Sequence, residues 1–273
     1  MGMEIEDQPQ TQGTNDEPDT FRFLLDLNVA LGSYLHNEDR VMTLIGIHQA
    51  ALNLKIHGSQ NLFENYFAAL DISDILRSSV ILLHANLESC LRTLWLHYLK
   101  YKSKWSKIDV PFPGNEPTPR VKIGIQELQN FRGKTIDEIV LQAIEEHVAK
   151  SSFGNTDQVT RLLKDISVDP APLREYLPEL DELFRRRHRI AHFTDNVDFQ
   201  FGNNIVTPIE LNEITIWMRT CHSFVFDLLL IMNTDERSDR EVYERICASG
   251  HLEPLDKRRA RSLQVLDNWQ TDL

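Results

Sequence analysis

The chain has 273 residues, enough for one large domain or two small ones, with a core above the size at which small folds become marginal. Its formal charge of −12 is concentrated at the start, where residues 1–20 carry six acids (Glu4, Glu6, Asp7, Asp16, Glu17 and Asp19) and no Lys or Arg. Beyond them 29 basic residues face the 35 acids that remain of 41, which tolerates a local basic site but excludes broad coating of duplex nucleic acid.

The three cysteines, Cys90, Cys221 and Cys247, have no metal-like spacing, and their odd number gives no disulfide framework. A reducing, cytoplasmic setting is the expectation. No membrane contact is expected, since the N-terminus is acidic and polar and no apolar run approaches the ~20 residues of a span.

Residues 1–20 have the composition of a disordered acidic tail. From Phe21 to Tyr34 and again from Asp39 to His57 apolar residues recur at three and four, and Gly58-Ser59 closes the second run. The pattern predicts a helical hairpin within 21–70, packed on the edge of a bundle. A long helix follows over about Ile72 to Lys100, with Leu76, Val80, Leu83, Leu87, Leu91, Leu94 and Tyr98 forming one seam. Glu88 lies at the shoulder of that seam, four residues before Arg92. It makes either an ordinary i,i+4 ion pair or a partner for a buried cation elsewhere.

Residues 101–120 are a proline-rich loop. At its start Lys100, Lys102, Lys104 and Lys107 interleave with Tyr101 and Trp105, a composition able to contact phosphates and stack bases, and equally that of a solvated loop whose Trp docks on the core. Helices are predicted at Ile123–Phe131, Thr135–Val148 and Asp157–Ile166, the second opened by a Thr135/Glu138 capping box.

The stretch from Pro178 to Asp195 is the centre of the chain: a helix ending in four arginines and two histidines. With Arg187 as zero on a helical wheel, Leu180, Leu183, Phe184, Ile190 and Ala191 fall within roughly 60° of it. This projection puts Arg187 on the apolar stripe, Arg186 on its flank, and Arg185 and Arg189 at the rear. A guanidinium keeps its proton, and burying it unpaired costs several kcal/mol in order of magnitude, so an anion of the protein or of a ligand is expected there. His192 projects about 140° from Arg187 and within about 40° of His188. One ideal helix therefore does not gather Arg187 and His192. Either its last turn distorts or two copies of the helix pool their side chains.

Asn196 to Asn204 is a loop or a short β-hairpin. Thr207-Pro208-Ile209-Glu210 has the pattern of a helix start, with Thr as N-cap, and that helix is expected to run to about Met232. Charged helices fill 236–273, including the basic cluster Lys257-Arg258-Arg259-Ala260-Arg261.

Arg187-His188-Arg189-Ile190-Ala191-His192 resembles the R-x(4-6)-H signature of the HEPN superfamily. The likeness extends from about Leu76 to Leu230: a long helix with an ANLES segment, a Ser-Phe turn and short helix, RRHRIAH followed by an Asp, and a closing amphipathic helix. That order is most similar to the stand-alone RiboL-PSP-HEPN-like proteins. The resemblance implies an all-α HEPN-type bundle over residues 71–235 with additional flanking helices. It implies a metal-independent endoribonuclease that forms a homodimer around a composite cleft, acts on RNA without a cofactor, and leaves a 2′,3′-cyclic phosphate and a 5′-hydroxyl. In that frame Arg187 and His192 are catalytic, His188 and Arg189 orient substrate or extend the positive field, and Arg186, Glu88 and Asp195 support the site. A toxin or defence role, under an antitoxin or defence-system partner, goes with it. A catalytically silent member of the same fold, binding RNA, a nucleotide or a protein, is the alternative.

Other chemistries are weaker. His188 and His192 have the spacing of a zinc helix, but Arg189 stands where a catalytic Glu is needed and no third ligand is evident. There is no P-loop, dinucleotide glycine motif or nucleophile elbow. His48, His57, His84 and His97 are scattered and read as structural.

Overall fold

In the computed structural model the described residues are 16–57, 71–101, 129–193, 195, 206–234 and 237–271. Among them the regular structure is helical throughout, as the all-α HEPN-type reading requires. The predicted hairpin at 196–204, the Lys/Trp loop and the helix at 123–131, apart from a short 3-10 turn at Gln129–Phe131, lie outside the described residues.

The expected N-terminal hairpin is instead one helix, α1 (Asp16–His57), which also takes up the last residues of the expected tail. Its inward seam runs Leu31, Tyr34, Glu38, Val41, Ile45, in steps of three and four, and each of these residues is buried. Glu38 made the apolar pattern look interrupted, yet it fills its place in the seam by pairing with His222, whose Nδ1 is 2.9 Å from Glu38 Oε2. No Pro interrupts the stretch, so nothing stops the helix where a turn was expected.

Helix α2 (Ser73–Tyr101) packs along α1 with its predicted seam buried from Leu76 to Leu94 and partly buried at Tyr98, and Asn86 Nδ2 donates to the Tyr34 carbonyl across the pair at 3.0 Å. Helix α3 (Ile136–Lys150) opens with the expected capping box, Thr135 and Glu138 each accepting from the other's backbone N–H. Helix α4 (Thr156–Asp165) is capped by Asn155. A 3-10 turn (Ala171–Tyr176) leads into α5 (Leu177–Phe193), the motif helix.

Helix α6 (Leu211–Thr234) starts later than Thr207. The carbonyls of Thr207 and Pro208 are taken by the Arg186 guanidinium at 3.0 and 2.8 Å, so these residues stay outside the helix, and Glu213 caps the Glu210 N–H at 2.9 Å instead. By length and composition α6 is apolar enough to cross a membrane, contrary to the expectation that no run comes close. Most of its apolar stretch is buried inside the bundle, as in the core helix of a water-soluble fold.

Helices α7 (Arg237–Ala248) and α8 (Leu255–Thr271) add Val242, Ile246, Leu255 and Leu266 to the same core. The basic cluster on α8 is largely spent on internal struts: Arg258 meets Asn28, Arg259 meets Asp227, and Arg261 meets Glu253 at 2.9 Å. Ser262 Oγ lies 3.0 Å from His222 Nε2, so Glu38, His222 and Ser262 staple α1, α6 and α8 together.

Candidate functional site

Helix α5 turns Leu180, Leu183 and Phe184 into the core, and its last turn stands at the edge of the bundle. Here the structure corrects the projection: the fully buried guanidinium belongs to Arg186, which is 3 % exposed, while Arg187 is only half-buried. The wheel treats the helix as if the core ran along its whole length. Near its C-terminus the apolar wall ends, and the chain after α5 folds back over the flank that carries Arg186.

Asp195 makes that reversal. It adopts a left-handed φ of 61°, its N–H donates to the Arg189 carbonyl at 3.1 Å, and its own carbonyl accepts from Thr207 N–H at 2.9 Å. The carboxylate is thereby driven into the bundle, where Oδ2 accepts from Arg186 Nη2 at 2.7 Å and from Arg77 Nε at 3.3 Å. Arg77, on the first turns of α2, is held in addition by Asp71 at 3.0 Å and Asp74 at 2.7 Å. Burial pulls the Arg186 pKa below its ordinary value and Asp195 opposes that pull, so the guanidinium remains charged. Arg186 and Asp195 therefore form an internal clamp rather than a ligand-facing pair. Sequence reasoning missed Arg77, whose signal was its spacing after Asp71 and Asp74.

Arg187 has a different environment. Among the described residues no carboxylate lies at ion-pair distance from it, whereas Arg185 behind it is tied to Asp181 at 3.0 Å and Glu182 at 2.7 Å. Glu88 does not hold Arg187. It takes the ordinary reading, pairing with Arg92 at 2.8 Å, and also faces the Phe153 N–H at 3.5 Å. The α2 side chain that feels the charge of Arg187 is His84, one turn earlier.

His188, Arg189 and His192 are exposed. The two imidazoles lie 4.6 Å apart between ring centroids, as their shared face predicts, with Phe193 at 5.8 Å from His188. Helix α5 stays helical through Phe193. The last turn does not distort, and Arg187 and His192 keep the wide angular separation of an ideal helix. One chain thus presents a half-buried guanidinium with no carboxylate at ion-pair distance among the described residues and, well round the helix from it, a pair of solvent-facing imidazoles. Among the described residues no three His, Cys, Asp or Glu side chains gather to hold a metal ion.

Residues 50–228, more than half of the chain, match the model of the family described as RiboL-PSP-HEPN. The chain belongs to the RiboL-PSP-HEPN family. No curated protein and no solved structure matches it. The RiboL-PSP-HEPN region begins inside α1 and ends inside α6, reaching further toward the N-terminus than the motifs alone indicated. It contains the motif helix, the Asp195 clamp and the His84–Glu88 segment. Helices α7 and α8 lie outside it, yet share its core.

Proposed function

We propose that this protein is a metal-independent endoribonuclease working as a homodimer. The observation that carries the reading is Arg187: of two adjacent arginines at the inner side of α5, it is the one left without a carboxylate among the described residues. A guanidinium with its fork free is suited to hold a phosphate and to stabilise charge developing on its oxygens. His192, an exposed imidazole five residues further along the same helix, is of the residue type suited to general-base work. It would remove the 2′-hydroxyl proton of the ribose. The 2′-oxygen then bonds to phosphorus, the bond from phosphorus to the 5′-oxygen breaks, and that oxygen leaves with a proton supplied by an acid. A 2′,3′-cyclic phosphate and a 5′-hydroxyl result, and DNA, lacking the nucleophile, is not cut.

The homodimer is supported by the unbroken last turn of α5, since Arg187 of one copy and His192 of another can share a cleft that one helix cannot close. His188 and Arg189, both exposed, extend the positive field. A toxin or defence setting under a partner protein rests on the family resemblance alone.

The experiment is cleavage of host-cell RNA in the presence of a chelator. We expect Arg187→Ala and His192→Ala each to lower cleavage by about 10²–10³-fold and 2′-deoxy substitution at the cut site to abolish it. Wild-type protein that cuts no RNA, or cuts only with added metal, overturns the reading. Arg187-dependent RNA binding without cleavage would identify a silent binding module instead.

A further inference from the structure

A 42-residue helix at the edge of a bundle has two long faces. Among the described residues the inward seam of α1 packs chiefly against α2, with α6 and α7 beside it. The opposite face of such a helix is ordinarily polar along its length, and that of α1 is polar only in the middle. Phe21, Leu25, Val29, Ile47, Ala50 and Leu54 are all exposed, Val29 at 66 %. At about 100° per residue they fall within one stripe roughly 80° wide. Single exposed apolar side chains are ordinary, whereas a row of them along one helix marks a contact surface.

Two glycines share that side. Gly32 lies on the stripe and Gly46 at its margin, and a Cβ built on either meets nothing within 4 Å. No packing of that Cβ inside the chain requires glycine there, although glycine weakens a helix interior through its backbone freedom. Glycine in such a place admits the close approach of another chain.

The order of residues along the stripe says which chain. Turned end for end about the midpoint between Asn37 and Glu38, the stripe matches itself. Phe21 takes the place of Leu54, and Leu25 that of Ala50. Val29 takes the place of Gly46, a knob opposite a hole, and Gly32 that of Thr43. At the centre His36 takes the place of Asp39. Both are exposed, and neither side chain has a hydrogen bond or ion pair among the described residues. One supplies a ring N–H donor and the other an acceptor. A parallel pairing would instead set Asp39 on Asp39 and Gly46 on Gly46, like charge on like charge and hole on hole. A surface complementary to its own reversed copy is what an isologous two-fold contact needs.

We propose that the outward face of α1 is a self-association surface, on which α1 of a second copy of this chain lies antiparallel. Val29 of each copy sits over Gly46 of the other, and His36 of each donates to Asp39 of the other. The stripe lies almost wholly N-terminal to the RiboL-PSP-HEPN region, and α5 packs on α2 and α6. The contact is therefore separate from any sharing of Arg187 and His192 between α5 helices, and it does not depend on the ribonuclease reading.

The test is sedimentation of the full-length protein over a range of concentrations. Wild type is expected to associate. Val29→Glu, which sets a charge against Gly46, is expected to raise the dissociation constant by more than about 30-fold, as for loss of a central anchor. The particle mass then falls to that of a monomer, or to that of an α5-paired dimer if those helices also meet. Gly46→Leu adds a side chain to space that is open within the chain, so the fold tolerates it, yet it fills the hole and is expected to weaken association to a similar degree. Its helix content and melting temperature in dilute solution check that it still folds. His36→Glu is expected to weaken association by about tenfold through repulsion from Asp39. Adding Asp39→Arg to it is expected to restore association, because antiparallel pairing sets the new Glu against the new Arg. Wild type that is monomeric at every concentration, a mass that Val29→Glu and Gly46→Leu leave unchanged, or no recovery in the double variant overturns the proposal.

Discussion

Arg186 and Arg187 are neighbours in sequence, and one step around α5 puts them in opposite electrostatic worlds. Arg186 is almost wholly buried and is met by a carboxylate with no exposure at all, two backbone carbonyls and a second arginine on the far side of that carboxylate. Arg187 is half-buried, and among the described residues no carboxylate lies at ion-pair distance from it. Among the described residues the bundle supplies a carboxylate to the charge that it hides and none to the one at its edge. Burial alone therefore does not mark the residue that works on a ligand. What separates the two is whether the fold supplies its own anion.

The largest test of that contrast is Asp195→Asn. The amide keeps the shape of the carboxylate and tolerates the left-handed backbone, but leaves the buried Arg186 without its counter-charge. Breaking such a pair costs about 3–5 kcal/mol, read as a shift of the denaturant midpoint, while Arg77 keeps Asp71 and Asp74. A loss below about 1 kcal/mol would mean that the clamp does little and that the contrast is one of position only.

Periodicity carried most of the fold, because seams such as Leu76 to Leu94 are apolar without interruption and α2 appears where they predict. It failed where a polar residue occupies a core place. Glu38 hid the continuity of α1, since its partner His222 lies far off in sequence. The motif residues were legible as a set, but the order among the arginines was not. A helical wheel knows the direction of a side chain and not where the core ends, and it had no means of bringing Asp195 back onto Arg186. Thr207 looked like an N-cap for the same reason: its role in receiving the clamp depends on contacts across the chain. His84 was passed over as a scattered histidine, though its place four residues before Glu88 and beside Leu83 on the buried face was in plain view.

The second test is smaller and concerns the neutral side of the contrast. His84 titrates near 6.5 when unfolded and about 4 when folded. Between those values the unfolded chain binds the extra proton, so the stability held by the neutral ring is complete above pH 6.5 and drains away as pH falls to about 4. At about 1.4 kcal/mol per unit, the stability difference between wild type and His84→Gln should change by about 3 kcal/mol across that window and be flat above it. A difference that does not vary with pH would mean that the ring is not held neutral.

The smallest effect is the sharpest. Among the described residues Arg187 has no ion pair to lose, so at neutral pH Arg187→Gln should cost only about 1 kcal/mol. The same substitution should change the acid behaviour. Arg187 is the second cause, after burial, of the depressed His84 pKa; without it the folded pKa rises toward the unfolded value but stays below it, because the ring is still buried. The variant should then lose less stability than wild type between pH 6.5 and 4, so that a substitution destabilising at neutrality becomes milder in acid. The other side of the contrast behaves differently, since removing Arg186 would leave the buried Asp195 carboxylate with Arg77 as its one remaining cation among the described residues. Paired denaturation curves for the two arginine variants, taken at neutral and acid pH, would show whether the helix holds one structural and one available guanidinium or two of the same kind.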